Sequence, residues 1–156
     1  MFRFRTFTIP SLAIVIVAML FAAPAQATSF GVRAGYYFDA DAVSIGTEML
    51  TPLSESYNWY FNPNFELAVG DVRDIVAMNA DFHYDFQPSS DLAVWAGAGP
   101  AIFVIDRGRF EDEKVDVGAN LLFGLGANHG SVRPYGQFKA VLMDDPEAAI
   151  AFGVRF

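Results

Sequence analysis

His129-Gly130-Ser131 sets a base and a hydroxyl two residues apart, with Asp144, Asp145 and Glu147 further along the chain. Nucleophilic acyl transfer needs such a base, nucleophile and orienting acid within hydrogen-bond reach. His83 stands between Asp81 and Asp85 at alternate positions, which puts all three on one face if the segment is extended. No second His or Cys occurs nearby, so a histidine paired with its neighbours is expected there rather than a metal ligand. Arg33, Glu48, Glu66, Lys139 and Arg155 are spread thinly among small and apolar residues. Gly97-Ala98-Gly99 has no following helix and does not form a phosphate loop, so no cofactor is expected. What these side chains can do depends on the elements that carry them.

Those elements read as strands. Ala148 to Phe156 alternates without a break. Ile150, Phe152, Val154 and Phe156 fall on one face, and Ala149, Ala151, Gly153 and Arg155 on the other. The same period of two recurs over 29–38, 43–50, 57–69, 75–87, 92–105, 115–128 and 132–143, between clusters of turn-forming residues. The fourth segment is the cleanest, with Met78, Ala80, Phe82, Tyr84 and Phe86 against Asn79, Asp81, His83 and Asp85. The fifth is apolar on both faces, and its pattern leaves the register open. Pro63 cannot donate to a ladder and predicts a bulge or bend in the third strand.

The amino terminus is built differently. Arg3 and Arg5 precede an apolar run from Leu12 to Ala23, then Pro24 and Ala25-Gln26-Ala27. This is the layout of a helical secretory signal peptide at 1–27, cleaved after Ala27. The run falls short of the roughly 20 apolar residues of a spanning helix. Residues 28–156 then form one β-domain. The 156-residue chain carries a formal charge of −8 and no cysteine. Loss of two arginines with the signal makes it more acidic still. No basic patch remains to serve nucleic acid, and thiol chemistry and Cys-based zinc sites are excluded.

Alternation fits a soluble carrier barrel or its inverse, a membrane barrel. The polar face here is the small one, rich in Gly and Ala, with Lys139 its only lysine. A water-facing surface is normally about a quarter to a third charged. The apolar face is bulky and aromatic, and eight strands enclose room only for ordinary side chains. That face must therefore point outward, into lipid. Tyr36, Phe38, Trp59, Tyr84, Phe86 and Phe156 lie near strand ends, where interfacial girdles sit. The predicted fold class is all-β: an eight-stranded antiparallel up-and-down transmembrane β-barrel.

The signal segment, the eight alternating strands and the terminal Ile150-x-Phe152-x-Val154-x-Phe156 resemble the small outer-membrane β-barrels of Gram-negative bacteria, of the OmpA transmembrane-domain and OmpX type. The resemblance covers the whole chain after the signal. It implies an outer-membrane location and contact with outer-membrane lipids, including lipopolysaccharide. It also implies that Ile150, Phe152, Val154 and Phe156 are read by the outer-membrane assembly machinery. It places the amino terminus of the barrel in the periplasm, which makes the odd-numbered connections extracellular. Some eight-stranded lipid A deacylases of this setting use a His-x-Ser pair with a downstream acid. Here the pair falls in a periplasmic turn and the acids at the opposite rim, so no enzyme activity is expected.

Eleven of the 18 acids fall at the odd connections. They are Asp39, Asp41, Asp71, Asp74, Asp106, Glu111, Asp112, Glu113, Asp144, Asp145 and Glu147. Arg73, Arg107, Arg109 and Lys114 join them. Asp is a good turn residue, and such a rim would also attract divalent cations that bridge to lipid phosphates. The inward face holds Glu48, Glu66, Asp81, Asp85 and Asp116 with Arg33, Arg133, Lys139 and Arg155. An unpaired charge in a narrow interior is costly. Arg33, Glu48, Glu66, Asp81, Lys139 and Arg155 are therefore the candidates for a lumen ion-pair network, with Arg33–Glu48 favoured by strand adjacency. The expected role is structural or interactive, through membrane integrity or rim contacts. The alternative is a transport barrel for small or apolar solutes. The chain ends with its last strand, so no appended cell-wall-binding domain is expected.

Overall fold

The computed structural model describes residues 28–53, 55–106 and 114–156. The signal segment at 1–27 and the loop charges Arg107, Arg109, Glu111, Asp112 and Glu113 lie outside the described residues. Eight strands follow in order: β1 (Ser29–Tyr37), β2 (Ala42–Pro52), β3 (Trp59–Gly70), β4 (Asp74–Asp85), β5 (Leu92–Asp106), β6 (Lys114–Ala127), β7 (Arg133–Leu142) and β8 (Glu147–Arg155). Each pairs antiparallel with its sequence neighbours, and β1 also pairs with β8 to close the barrel. The strands match the alternating segments of the sequence to within a few residues at each end. We call the end with the β1–β2, β3–β4, β5–β6 and β7–β8 connections the upper rim. Ser29 and Arg155 lie at the lower rim.

The large side chains of one face point outward. Phe30, Val32, Val43, Ile45, Leu67, Phe82, Ile102, Val117, Leu121, Phe123, Phe138 and Phe152 are exposed around the barrel. This is the apolar belt of a transmembrane barrel. Aromatic contacts reinforce its edges. Trp59 meets Tyr84 edge-on at 5.1 Å, and Tyr84 meets Phe86 at 5.3 Å, near the lower rim. Tyr36 meets Phe38 at 5.5 Å near the upper rim. Phe156 lies just past β8, tied to β1 by its backbone N–H, which donates to the Phe30 carbonyl at 2.8 Å.

Pro63 makes no bulge. Glu48↔Asn64 and Thr51↔Phe61 keep one register across it, with no extra residue. The β2–β3 ladder only lapses at Met49 and Leu50, while β4 pairs continuously through Pro63↔Ala80. Proline lacks the N–H that this ladder would use. The side chain of the preceding residue replaces it, Asn62 Nδ2 donating to the Met49 carbonyl at 3.0 Å. The missing donor is supplied locally, and the register holds on both sides of the proline.

The fifth strand, open in register from sequence, sends Ala93, Trp95, Ala101, Phe103 and Ile105 inward. Phe103 fits beside Ala77 and Asp116, and Ile105 beside Ile75, whereas the largest inward rings lie beside glycine. Trp95 pairs with Gly124, and a methyl group on Gly124 would overlap the indole. Tyr135 pairs with Gly153, where a methyl group would overlap the phenol ring. At these two positions the interior has no width for a second bulky side chain beside the ring.

We expect Gly124→Val to lower unfolding stability in detergent by about 1–3 kcal/mol, the range for overpacking. Gly136→Ala, where the added methyl meets Phe152 at an ordinary 3.4 Å, should leave it nearly unchanged. Urea titration of the refolded barrel followed by gel mobility would show both.

Candidate functional site in the barrel lumen

The lumen is built in three layers. The upper layer is apolar: Tyr37, Ala42, Ala68, Ile75, Ala77, Ala101, Phe103, Ile105, Val141 and Ala149 form one buried cluster. Above it Arg73 Nη2 lies 2.7 Å from Glu147 Oε2, both residues buried. The sequence pattern alone puts this pair among the rim charges. Glu147 instead begins β8, two residues before Ala149, and so shares the inward face of Ala149, Ala151, Gly153 and Arg155. That parity is the signal that could have found it.

The middle layer is a chain of charges. Arg155 Nε donates to Glu48 Oε1 at 2.7 Å. Arg33 binds Glu66, and Lys139 Nζ donates to Glu66 Oε2 at 2.8 Å. Tyr37 also donates to Glu66, and its hydroxyl accepts from Lys139 at 2.7 Å. All five charged residues are 4–6 % exposed. The favoured Arg33–Glu48 contact is present but long, at 3.8 Å. The stagger of the strands explains the preference. Arg33 pairs with Gly46, whose other neighbour is Glu66. Arg155 pairs with Gly31, whose other neighbour is Glu48. Each guanidinium thus crosses a bare glycine to an acid one strand further on.

Asp81 departs from the expected network. It makes no ion pair among the described residues; Asn64 Nδ2 and Asn120 Nδ2 donate to it at 2.8 and 2.9 Å. Asn64 in turn accepts from Arg33, so an amide stands between the acid and the cation. Asn62, Asn64, Asn79 and Asn120 form this network and are almost fully buried. Nothing in the charge pattern marks them, although their inward parity is readable. Asp116 and Asp85 are also buried. Asp116 lies 3.0 Å from Lys114, which also reaches Asp144 at 3.3 Å. Lys114 therefore belongs to the upper mouth of the lumen as much as to the rim.

The lower layer is a small open cleft lined by Tyr60, His83, Asp85, Trp95, Arg133 and Arg155, among others. Arg155 sits over the Tyr135 ring at 4.1 Å and the Trp95 ring at 4.9 Å. His83 is not hydrogen-bonded to its flanking acids. It stacks on Trp95 at 6.0 Å, and its Nε2 has no hydrogen-bond partner among the described residues. His129 and Ser131 are exposed in the β6–β7 turn, where Gly130 takes a φ of 107°. Asp144 and Asp145 stand at the other rim, and Glu147 is committed to Arg73. Ile150, Phe152 and Val154 point outward from β8.

No family model matches the chain, and no curated protein matches it in sequence. Solved structures do match. The N-terminal β-barrel domain of Pseudomonas aeruginosa OprF superposes with a TM-score of 0.68 at 18% identity, over 83% of this chain and 96% of that one. Neisserial surface protein A gives 0.60 at 11% identity, over 82% and 94%. Ail, the attachment invasion locus protein of Yersinia pestis, gives 0.53 at 14% identity, over 83% and 96%. The chain has the fold of a small eight-stranded outer-membrane β-barrel. At these identities the likeness carries architecture and not activity.

Within this barrel, removing one partner of the charge chain leaves the others buried without their counter-charge. We expect Glu66→Gln to cost about 3–5 kcal/mol, since it leaves Arg33 and Lys139 uncompensated. Adding Lys139→Met should restore part of the loss. Urea unfolding of both variants, compared with the parent, would measure it.

Proposed function

We propose that the protein is an integral outer-membrane β-barrel with a structural or interaction role, and that its lumen is closed. The observation that carries this reading is the upper layer. Phe103, Ile75, Ile105 and Tyr37 are at most 1 % exposed, and the Arg73–Glu147 pair spans them. A conduit would have to displace packed apolar side chains and then part the charge chain below. The apolar belt supports the membrane setting, and the fold shared with OprF, Neisserial surface protein A and Ail supports the outer membrane. On this reading residues 1–27 direct export, and Ile150, Phe152, Val154 and Phe156 serve assembly and then face lipid. The exposure of His129 and Ser131 in the β6–β7 turn, at the rim opposite Asp144 and Asp145, supports a non-catalytic role.

The transport alternative predicts a different measurement. Liposomes carrying the parent should show no swelling in sugars of graded size, and planar bilayers no steady conductance. Replacing Phe103 and Ile105 together by alanine should be what opens a path. Swelling or conductance in the parent would replace the closed-lumen reading with the transport one.

The upper rim bears Asp39, Asp41, Asp71, Asp74 and Asp144. Divalent cations there would bridge carboxylates to lipopolysaccharide phosphates. A chelator should then lower thermal stability in native lipid and leave it unchanged in a phosphate-free detergent.

A further inference from the structure

We infer that the lower cleft is an anion site that takes the carboxylate of a small solute with a short apolar stem. The inference goes beyond the closed structural barrel, because a lumen sealed at its upper end can still bind a ligand from below.

Three observations converge on it. First, Arg133 lines the cleft, is only partly buried, and has no acid within ion-pair distance among the described residues; its guanidinium binds the Ser29 hydroxyl. Arg33, Arg73 and Arg155 each have such an acid. Second, Arg155 is held rigidly between Trp95 and Tyr135 and fixed by Glu48 through Nε and Nη2. It contributes a pre-ordered guanidinium to the same cleft. Third, His83 in the cleft wall is 2 % exposed, yet its Nε2 has no partner among the described residues. A neutral imidazole with its proton there would donate to an anion, and a buried polar atom left without a partner is costly.

The chemistry of the ligand follows from charge and space. Glu48 already compensates Arg155, and Asp85 offsets the charge of Arg133 without pairing with it, so the cleft offers an anion hydrogen-bond donors rather than net positive charge. Asp85, also in the wall, has one oxygen engaged by the Gln87 backbone N–H at 2.8 Å. Its charge would oppose a dianion and tolerate a monoanion. The cleft offers about 30 Å³, against roughly 10–15 Å³ for a single ordered water. That suits a carboxylate group and little more. Guanidinium forks match the planar geometry of a carboxylate. Leu50 and Ala93 line the same cleft and would take the methyl or methylene groups of a short stem.

Trp59→Phe leaves Trp95 as the only tryptophan of the two, so its fluorescence reports on the cleft alone. In detergent micelles at constant ionic strength, iodide should quench this Trp95 several-fold more effectively than in the same protein carrying Arg133→Gln. Acrylamide, which is uncharged, should quench the two alike. Propionate should relieve iodide quenching in the parent, and Arg133→Lys should keep part of the effect. Equal iodide quenching with and without Arg133 would overturn the site. Relief by inorganic phosphate as strong as that by propionate would overturn the assignment to a carboxylate. Should Arg133→Gln fail to fold, the propionate competition in the parent decides alone: no relief overturns the proposal.

Discussion

The interior of this barrel is narrower than the side chains it must hold, and most of its architecture answers that constraint. Eight strands close around room for about one layer of side chains. Several of the largest inward residues therefore lie beside a bare backbone. Trp95 has Gly124, Tyr135 has Gly153, Arg33 has Gly46, and Arg155 has Gly31. The glycines are structural complements of specific side chains, each placed by register. They also decide the electrostatics. A guanidinium that lies across glycine reaches the strand beyond, so the tight Arg33–Glu66 and Arg155–Glu48 pairs each skip one strand, while Lys139 reaches Glu66 across the lumen.

Charge is tolerated in this interior because it comes as a connected set. Arg155, Glu48, Arg33, Glu66 and Lys139 alternate in sign along the middle layer. Three cations face two acids there. Asp81 supplies the balancing charge through Asn64 rather than by contact. An amide is well suited to this bridging position. Asparagine offers both donors and an acceptor, so it can hold a carboxylate and a guanidinium at once. The arrangement makes the middle layer a unit. A pair removed from it leaves partners that water cannot reach, which is a stronger constraint than any pair exposed at a surface would impose.

The fold was legible in the sequence because a period of two survives even where composition is unremarkable. Alternation at Met78–Phe86 and Ala148–Phe156 fixes which side chains share a face, and bulk decides which face points out. Where both faces are apolar, as in β5, the parity signal vanishes, and with it goes the upper plug of Phe103 and Ile105. The partners of the charges were less legible. Faces depend on one strand, but contacts depend on the stagger between strands, and that is set by closure of the whole barrel. Sequence therefore places Arg33 on the right face and matches it first to Glu48, whereas the glycine at position 46 lets it reach Glu66 more closely. Asp81 escapes the pattern for a related reason: its nearest inward neighbours are asparagines, which carry no charge to notice. The Pro63 bulge was expected from a missing donor, and Asn62 supplies one instead.

The three layers make the lumen polar in the directional sense. Its upper end is packed with apolar side chains and capped by a buried ion pair. Its lower end is open and carries Arg133, which makes no ion pair among the described residues although Asp85 lines the same cleft. A pore would need continuity of water and charge from end to end. His83 Nε2 differs from other buried polar atoms without a partner among the described residues, such as Arg33 Nε and Arg73 Nε, in belonging to a residue that lines the open cleft. The cleft at the lower end is an unfilled volume beside Arg133 and His83. On the proposed reading the barrel is closed above and keeps a shallow recess below, at the end where Arg133 binds Ser29.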